Sequence, residues 1–427
     1  MFMSNSMQSS GKSLIGIGAG PRNMAIALYA HALSEAGIAK IDVQLIESEA
    51  AGANWTGQAG YTDGKFLLDT SALKDLSFPG RSGWGPGVDR VLAEHAFTEY
   101  LKDRNTFAHW VSDGMPPITH ETFGQYVEWV GERISTPIRR GTVRSVGAHG
   151  EKVRVAVDEA EAQRLLVADG VVMSGPGAAK RIVRQDDDPA RIFDARTYWT
   201  GRAAFAALSG GRVAVIGSGL SAGTIAKSVL TANPDTRVEI INKSGLLPQQ
   251  SAGVRENLLC SLPDADWPLR PLESRLEFIK KTNNGVIDAA TKQFLDHHDG
   301  CVVMAGRVCE VRAEPEGIAV GTTDGRWRVY DRVVVAIGFS PAAALRPLLD
   351  PAADAGWLDA LERDEVLDHS LRPQDCPFNL HIPALAGRSQ GPGLALLSCL
   401  ATMAGRVVSP YLPVPLLAPV GQETTNG

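Results

Sequence analysis

The residues best placed to do chemistry are glycines at fixed spacing. The apolar run Leu14-Ile15-Gly16-Ile17 leads into Gly18-Ala19-Gly20-Pro21-Arg22-Asn23 and then into the helix-like Met24-Ala25-Ile26-Ala27-Leu28. Glycines at a strand–helix junction let the backbone turn tightly and approach a pyrophosphate, whose charge then rests on the free N–H groups of the helix N-terminus. Gly16, Gly18 and Gly20 therefore point to a dinucleotide. A second apolar strand, Ile41 to Ile46, ends in Glu47, where an acid accepts hydrogen bonds from a ribose hydroxyl. Glycine turns also serve plain structural junctions. The order strand, glycines, helix, strand, acid sets this stretch apart from them.

The same signature recurs. Arg212 to Ile216 runs into Gly217-Ser218-Gly219-Leu220-Ser221, and the helix continues through Ile225 to Leu230. The next strand, Arg237 to Ile241, ends in Asn242-Lys243-Ser244. That cationic, hydrogen-bonding end suits a 2′-phosphate and favours NADPH over NADH, although a strand-end Lys is also a common solvated residue.

Composition narrows the remaining classes. The chain has 427 residues, a net charge of -6 and 44% hydrophobic residues, enough for a large core and two or three domains. Lys and Arg are scattered, so there is no electrostatic footprint for nucleic acid or an anionic membrane. No apolar run is long enough for a membrane span. Cys260, Cys301, Cys309, Cys376 and Cys399 are odd in number and lack metal-ligand spacing, so they read as reduced thiols of a cytoplasmic protein, with neither a disulfide framework nor a metal site. Residues 1–12 are polar and Ser-rich, without a signal-peptide core, and are expected to be disordered. No Ser/His/Asp or Cys/His arrangement signals a nucleophile.

The elements that must position these residues follow in order. Residues 50–117 form a long irregular excursion, read as cofactor cover and substrate wall. Helices are expected at Ala96–Asp103 and Glu121–Ile134. Strands at 141–146, 152–157 and 168–175 read as an antiparallel ribbon returning to the first sheet. An amphipathic helix should run to about Lys281, followed by a turn at Thr282-Asn283-Asn284-Gly285, a β-ribbon from Cys301 to Val320 and a buried strand at 332–337. Gly391 to Ser398 should begin a last helix. The fold class is α/β: two dinucleotide-binding (Rossmann-like) three-layer domains with antiparallel β-ribbons and a smaller substrate-binding region. Residues 13–200 and 331–410 form one domain and 201–330 the other, with a substrate-contacting segment near 246–290 and a tail at 411–427.

Two fingerprints in this order, with strands ending in Ser174-Gly175 and Ile337-Gly338, resemble the two-dinucleotide flavoprotein monooxygenases. Further pieces narrow the resemblance to the ornithine and lysine N-hydroxylases of siderophore biosynthesis. They are Ser71-Ala72-Leu73-Lys74-Asp75-Leu76, Phe97-Thr98-Glu99-Tyr100-Leu101, Tyr126-Val127-Glu128-Trp129, Thr282 to Asp288 and Leu396-Leu397-Ser398. The resemblance spans most of residues 13–408. It implies that NADPH reduces FAD, that the reduced flavin takes up O2 as a C4a-hydroperoxide, and that a neutral primary amine is N-hydroxylated. It places Gly16, Gly18, Gly20, Pro21 and Asn23 on FAD, Glu47 on its ribose and Trp55 near the flavin. Gly217, Ser218, Gly219 and Ser221 fall on the NADPH pyrophosphate. Asn283 matches an asparagine that binds the amino-acid substrate, and Ser398 lies near flavin and substrate. Homo-oligomers are frequent in the family.

The chain departs from the family pattern at several points. Trp-His-x-Gly becomes Trp55-Thr56-Gly57, the usual Gln of the second fingerprint is Leu220, and Asn-Tyr-Ser becomes Asn283-Asn284-Gly285. The family lysine that grips the substrate carboxylate is sought a few residues before Lys74-Asp75-Leu76; Lys65 reaches that register only with a small insertion. A family Gln becomes Asp69, which suits a second cationic group, as in a diamine, or a solvent-facing position. Amino-acid and diamine substrates both stay open, as do oxygenation of carbon or sulfur and an uncoupled NADPH oxidase.

Overall fold

The structure is a computed structural model and describes residues 11–160, 162–208, 210–349 and 356–413. Of the stretch 1–12 expected to be disordered, residues 1–10 lie outside the described residues and Lys12 already opens the first strand; of the tail expected at 411–427, residues 414–427 lie outside them too.

The first sheet is wholly parallel. Lys12–Ile17 lies at its centre between Ile41–Glu47 and Gly170–Met173, with Ile138–Arg140 and Leu380–His381 at the edges. Leu14, Ile15, Leu45, Val171 and Val172 are buried. Their strands are apolar without alternation because both faces of a parallel sheet are covered. Ile17 is level with Ile46 and Met173, so the three strands end together where the glycines begin. The helix Pro21–Glu35 starts with Pro in its first turn and is apolar on nearly every side. It is accordingly sandwiched between this sheet and the helix Leu400–Val408, whose Gly405 lets Tyr29 approach.

The second sheet is also parallel, in the order Ile192–Asp194, Arg332–Val335, Arg212–Ile216, Arg237–Asn242, Cys301–Ala305, so residues 192–194 and 332–335, expected in the first domain, pair with the strands of the second. Side chains alternate across it. Val213 and Val215 pack with Ile225 and Val229 of the helix Leu220–Ala232. Ala214 and Ile216 pack with Ile318, Val320 and Tyr330 of an antiparallel sheet. Helix, parallel sheet and antiparallel sheet make three layers, as expected.

Several element boundaries differ from expectation. The strand expected at 168–175 is two strands: Gln163–Ala168 closes an antiparallel ribbon with Thr142–His149 and Lys152–Asp158, and Gly170–Met173 joins the first sheet. Asp169 pins the corner, its carboxylate accepting from Ser13 N–H and Oγ at 2.9 Å each. Cys301–Ala305 is a parallel edge strand, and the ribbon proper begins at Val308. The amphipathic helix expected to end near Lys281 is Leu272–Thr282, and a further helix not expected, Val254–Ser261, precedes it. Residues 50–117 carry four helices, one of them the expected helix at Phe97–Asp103. Only Pro392–Ala395 is helical in the stretch expected to open the last helix, which starts at Leu400. Tyr411 and Leu412 are buried, and Tyr411 Oη donates to His381 Nε2 at 2.7 Å. Among the described residues no helix is long and apolar enough to cross a membrane, and no group of three or more His, Cys, Asp and Glu could hold a metal ion.

Candidate active site

The first glycine junction is held from behind and open in front. Gly18 has φ +92°, a conformation that favours glycine, and its N–H donates to Ile46 O at 2.7 Å. Asn23 is buried, and its Nδ2 donates to Ile17 O at 2.9 Å and Gly18 O at 2.8 Å, fixing the turn from within. Gly16 allows that approach, since a Cβ there would lie 2.7 Å from Leu45 Cδ2 and 3.0 Å from Asn23 Nδ2. In front, a Cβ on Gly20 would meet nothing within 4 Å, and the following helix has no side-chain cap. Its first N–H groups are therefore free for an anion.

Glu47 closes this junction. Its Oε2 accepts from Ala19 N–H at 2.7 Å and its Oε1 from Glu49 N–H at 2.9 Å and Ser48 Oγ at 3.5 Å, leaving Oε2 a further lone pair. An open helix N-terminus with a buried acid beside it fits the pyrophosphate and ribose of a dinucleotide such as FAD.

One cleft of about 430 Å³ starts at this junction. Gly18, Gly20, Pro21, Glu47, Trp55, Asp69, Asn283 and Ser398, all singled out in the sequence, line it together. Trp55 is held edge-on by His120 and Phe123, with ring centroids 5.1 and 5.3 Å away. Arg22, Gln250, Ser251, Glu256 and Cys260 also line the cleft; the last four fall within the segment near 246–290 expected to contact substrate, though none of the five was given a role there. Arg22 is tied to the scaffold through its terminal nitrogens: Nη1 donates to Ser174 O at 2.9 Å and Nη2 donates to Ala395 O, while its buried Nε has no partner and burial lowers its pKa to about 10.

The second junction lies outside the lining of this cleft but touches its wall. Gly217 has φ +143°, and a Cβ there would come within 2.2 Å of Ala336 O. Gly219 precedes a second helix without a side-chain cap. Gly285 packs over Ser218 and Gly219: a Cβ on Gly219 would sit 3.6 Å from Gly285 Cα. A strap holds this turn in place. Gln250 N–H donates to Ile287 O at 2.8 Å, Ser251 N–H to Lys281 O at 2.9 Å and Gln250 Nε2 to Thr282 O at 2.8 Å. Asn283, at the C-terminal end of the helix Leu272–Thr282, is thus presented to the cleft beside the second junction. At the strand end Asn242 Oδ1 accepts from Ser244 N–H and Gly245 N–H at 3.0 and 2.9 Å, so its side chain closes its own turn. Lys243 is exposed.

Lys65 is not brought to the cleft. Residues 66–68 pair with 118–120: Leu68 N–H donates to Ile118 O at 2.9 Å and His120 N–H to Phe66 O at 2.8 Å. That pairing turns alternate side chains inward and outward, so Leu68 is buried while Leu67 and Lys65 are exposed. The cation near the cleft is instead Lys74, half-buried, whose charge acts on Asp69 and Cys260, both in the lining. Asp75 sets its position. The Asp75 carboxylate accepts from Ser77 N–H at 2.8 Å and from Phe97 N–H at 2.7 Å, fastening the loop to the start of the helix Phe97–Asp103. Lys74 was visible in sequence as a family marker, without a sign that it borders the cleft.

Two three-layer dinucleotide-binding units that share one cleft define an oxidoreductase of the two-dinucleotide flavoprotein type. The family described as L-lysine 6-monooxygenase/L-ornithine 5-monooxygenase matches residues 12–297. The chain is 30% identical over 411 residues to the L-lysine N6-monooxygenase MbtG of Mycobacterium sp. (strain MCS), covering 92% of this chain and 93% of that protein. It is 24% identical over 428 residues to the L-ornithine N(5)-monooxygenase of Pseudomonas aeruginosa, covering 92% of each. The solved lysine monooxygenase NbtG from Nocardia farcinica superposes with a TM-score of 0.79 at 27% identity, covering 93% of this chain and 98% of that one. The chain belongs to the L-lysine 6-monooxygenase/L-ornithine 5-monooxygenase family. The family expected from the motifs is the family found.

Proposed function

We propose that this chain is an FAD- and NADPH-dependent monooxygenase that hydroxylates the terminal primary amine of a basic amino acid, L-lysine foremost. The observation that carries this reading is the single cleft in which the first junction, Glu47 and Trp55 meet Asp69, Asn283 and Ser398, with Lys74 alongside. The balance is amine, O2, NADPH and a proton giving hydroxylamine, water and NADP+. Bound FAD, reduced by NADPH, supplies the activated oxygen.

The protein's part is holding, orienting and excluding water. Gly18, Gly20 and Pro21 with Glu47 hold the pyrophosphate and ribose of FAD, and Asn23 supports their turn from behind. Gly217, Ser218, Gly219 and Ser221 hold the NADPH pyrophosphate; Lys243 faces its 2′-phosphate, and Asn242 shapes the turn that presents Lys243. Lys74 takes the substrate carboxylate. Asn283 and Ser398 offer an amide and a hydroxyl to the amine and orient its lone pair. Only a neutral amine has that lone pair free, so the rate should rise with pH toward the amine's own pKa of about 10.4.

A second reading rests on Asp69: an acid in the wall suits the far ammonium of a diamine. The test of both is product analysis. Purified protein with FAD, NADPH and O2 is given L-lysine, L-ornithine or cadaverine, and hydroxylamine, NADPH loss and peroxide are measured together. Hydroxylamine matching NADPH loss for an amino acid supports the proposal. Peroxide matching NADPH loss with every amine refutes it.

A further inference from the structure

Asp69 is a carboxylate without a partner. It lines the cleft, as do Thr70, Gln250, Ser251, Thr282 and Asn283. Among the described residues no other residue donates a hydrogen bond to its side chain and no cation lies within ion-pair distance of it. Solvent reaches it, but the surrounding wall and then the Asp288 carboxylate push its pKa above the ordinary carboxylate range. Asp288 cannot relieve it, because its Oδ1 accepts from Thr291 N–H at 2.8 Å to cap the helix Ala289–Asp296. A carboxylate held this way, next to another carboxylate, is stabilised by any cation that enters.

Lys74 stands five residues further along the same loop. It forms no ion pair among the described residues, yet its charge reaches Asp69. Asp69 in the cleft wall and Lys74 just behind that wall are therefore an unpaired acid and an unpaired cation, separated rather than joined. An α-amino acid carries the complementary pair on one carbon: an ammonium and a carboxylate. A diamine offers an ammonium to Asp69 and nothing to Lys74; an ω-amino acid offers a carboxylate to Lys74 and nothing to Asp69.

We infer that Asp69 is a specificity-determining residue that receives the α-ammonium of the substrate, so that with Lys74 the site selects a free α-amino acid over diamines and Nα-blocked or deaminated analogues. This rests on the N-hydroxylase reading above.

The test compares four amines with the same reacting end: L-lysine, 6-aminohexanoic acid, Nα-acetyl-L-lysine and cadaverine. Hydroxylamine formation gives kcat/KM for each, in the wild-type holoenzyme and in Asp69→Asn. A charge-assisted hydrogen bond lost on the free enzyme predicts L-lysine favoured over 6-aminohexanoic acid and over the acetylated form by about ten- to hundredfold in the wild type. In Asp69→Asn that preference should collapse toward unity, the loss appearing in KM for L-lysine. The wild-type comparison stands even if the variant loses FAD. Equal kcat/KM for L-lysine and 6-aminohexanoic acid overturns the inference, as does a preference for cadaverine or a variant that keeps the wild-type ratio. Hydroxylation of none of the four by wild type is a different failure, that of the N-hydroxylase reading itself.

Discussion

Replacing Glu47 with Gln should weaken FAD binding by one to two orders of magnitude. Both carboxylate oxygens already accept a backbone N–H, from Ala19 at 2.7 Å and Glu49 at 2.9 Å. Oε2 keeps a lone pair for a ribose hydroxyl, and Oε1 can take one in place of its long contact from Ser48 Oγ at 3.5 Å. Gln keeps one oxygen; its NH2 group replaces the other and cannot accept from either N–H. The variant thus loses stability before any ligand arrives and also loses one charged acceptor for a hydroxyl. A hydrogen bond to a charged group contributes about 1.5–3 kcal/mol, and each ~1.4 kcal/mol is a factor of ten in affinity, so the expected loss is about 10- to 100-fold in Kd. The assay is titration of deflavinated protein with FAD, followed by flavin fluorescence, with melting curves taken with and without FAD. Ligand binding stabilises the folded state by RT ln(1 + L/Kd), with L the FAD concentration, so at a given L the FAD-induced rise in melting temperature should shrink in Glu47→Gln. A variant that melts lower but binds FAD with unchanged Kd would show that Glu47 serves the turn alone, and the reasoning would fail.

Other expected outcomes concern the second junction, the substrate wall and acid stability. Gly217→Ala forces a Cβ within 2.2 Å of Ala336 O at φ +143°. It should cost about 2–3 kcal/mol in urea unfolding and slow reduction of bound FAD by NADPH more than reduction by dithionite. Asn283→Ala should lower kcat/KM for the amine by about ten- to hundredfold while NADPH oxidation continues and peroxide rises; undiminished coupling would contradict its role. Glu239 is almost fully buried beneath Tyr330 Oη at 2.7 Å and Arg212 Nη2 at 3.0 Å. Burial works to raise its pKa, but the Tyr330 hydroxyl and the Arg212 charge outweigh it, and the carboxyl ends below its ordinary value. A carboxyl depressed in the folded state stabilises above its unfolded pKa of about 4.3, and that stability is lost as pH falls through the folded value. Glu239→Gln should therefore cost about 1–3 kcal/mol at neutral pH, and its urea midpoint should fall less than that of wild type between about pH 4.5 and 3.

What could be read from the sequence was mostly local. Gly18 and Gly217 adopt positive φ at strand–helix junctions, and such a requirement is written in consecutive residues. The apolar runs of the two parallel sheets are legible for the same reason. The cleft itself was less so, because its wall joins Asp69, the strap around Gln250, Asn283 and Ser398 from distant parts of the chain. Lys65 and Lys74 show the limit clearly. Lys65 could match the expected register only through a small insertion, and pairing of residues 66–68 with 118–120 turns its side chain outward, while the buried Asp75 fastens the loop that carries Lys74 beside the cleft. Cys301–Ala305 looked like part of a ribbon because a short apolar strand reads alike in parallel and antiparallel settings; its partner, Arg237–Asn242, lies some sixty residues earlier.

The most direct test of the central claim is the fate of oxygen during one round of NADPH oxidation. Holoenzyme is mixed with NADPH, 18O2 and L-lysine, and mass spectrometry follows the amine. One labelled oxygen on the terminal nitrogen, with hydroxylamine equal to the NADPH consumed, is the predicted result. Label found only in peroxide and water, with L-lysine recovered unchanged, would contradict the account.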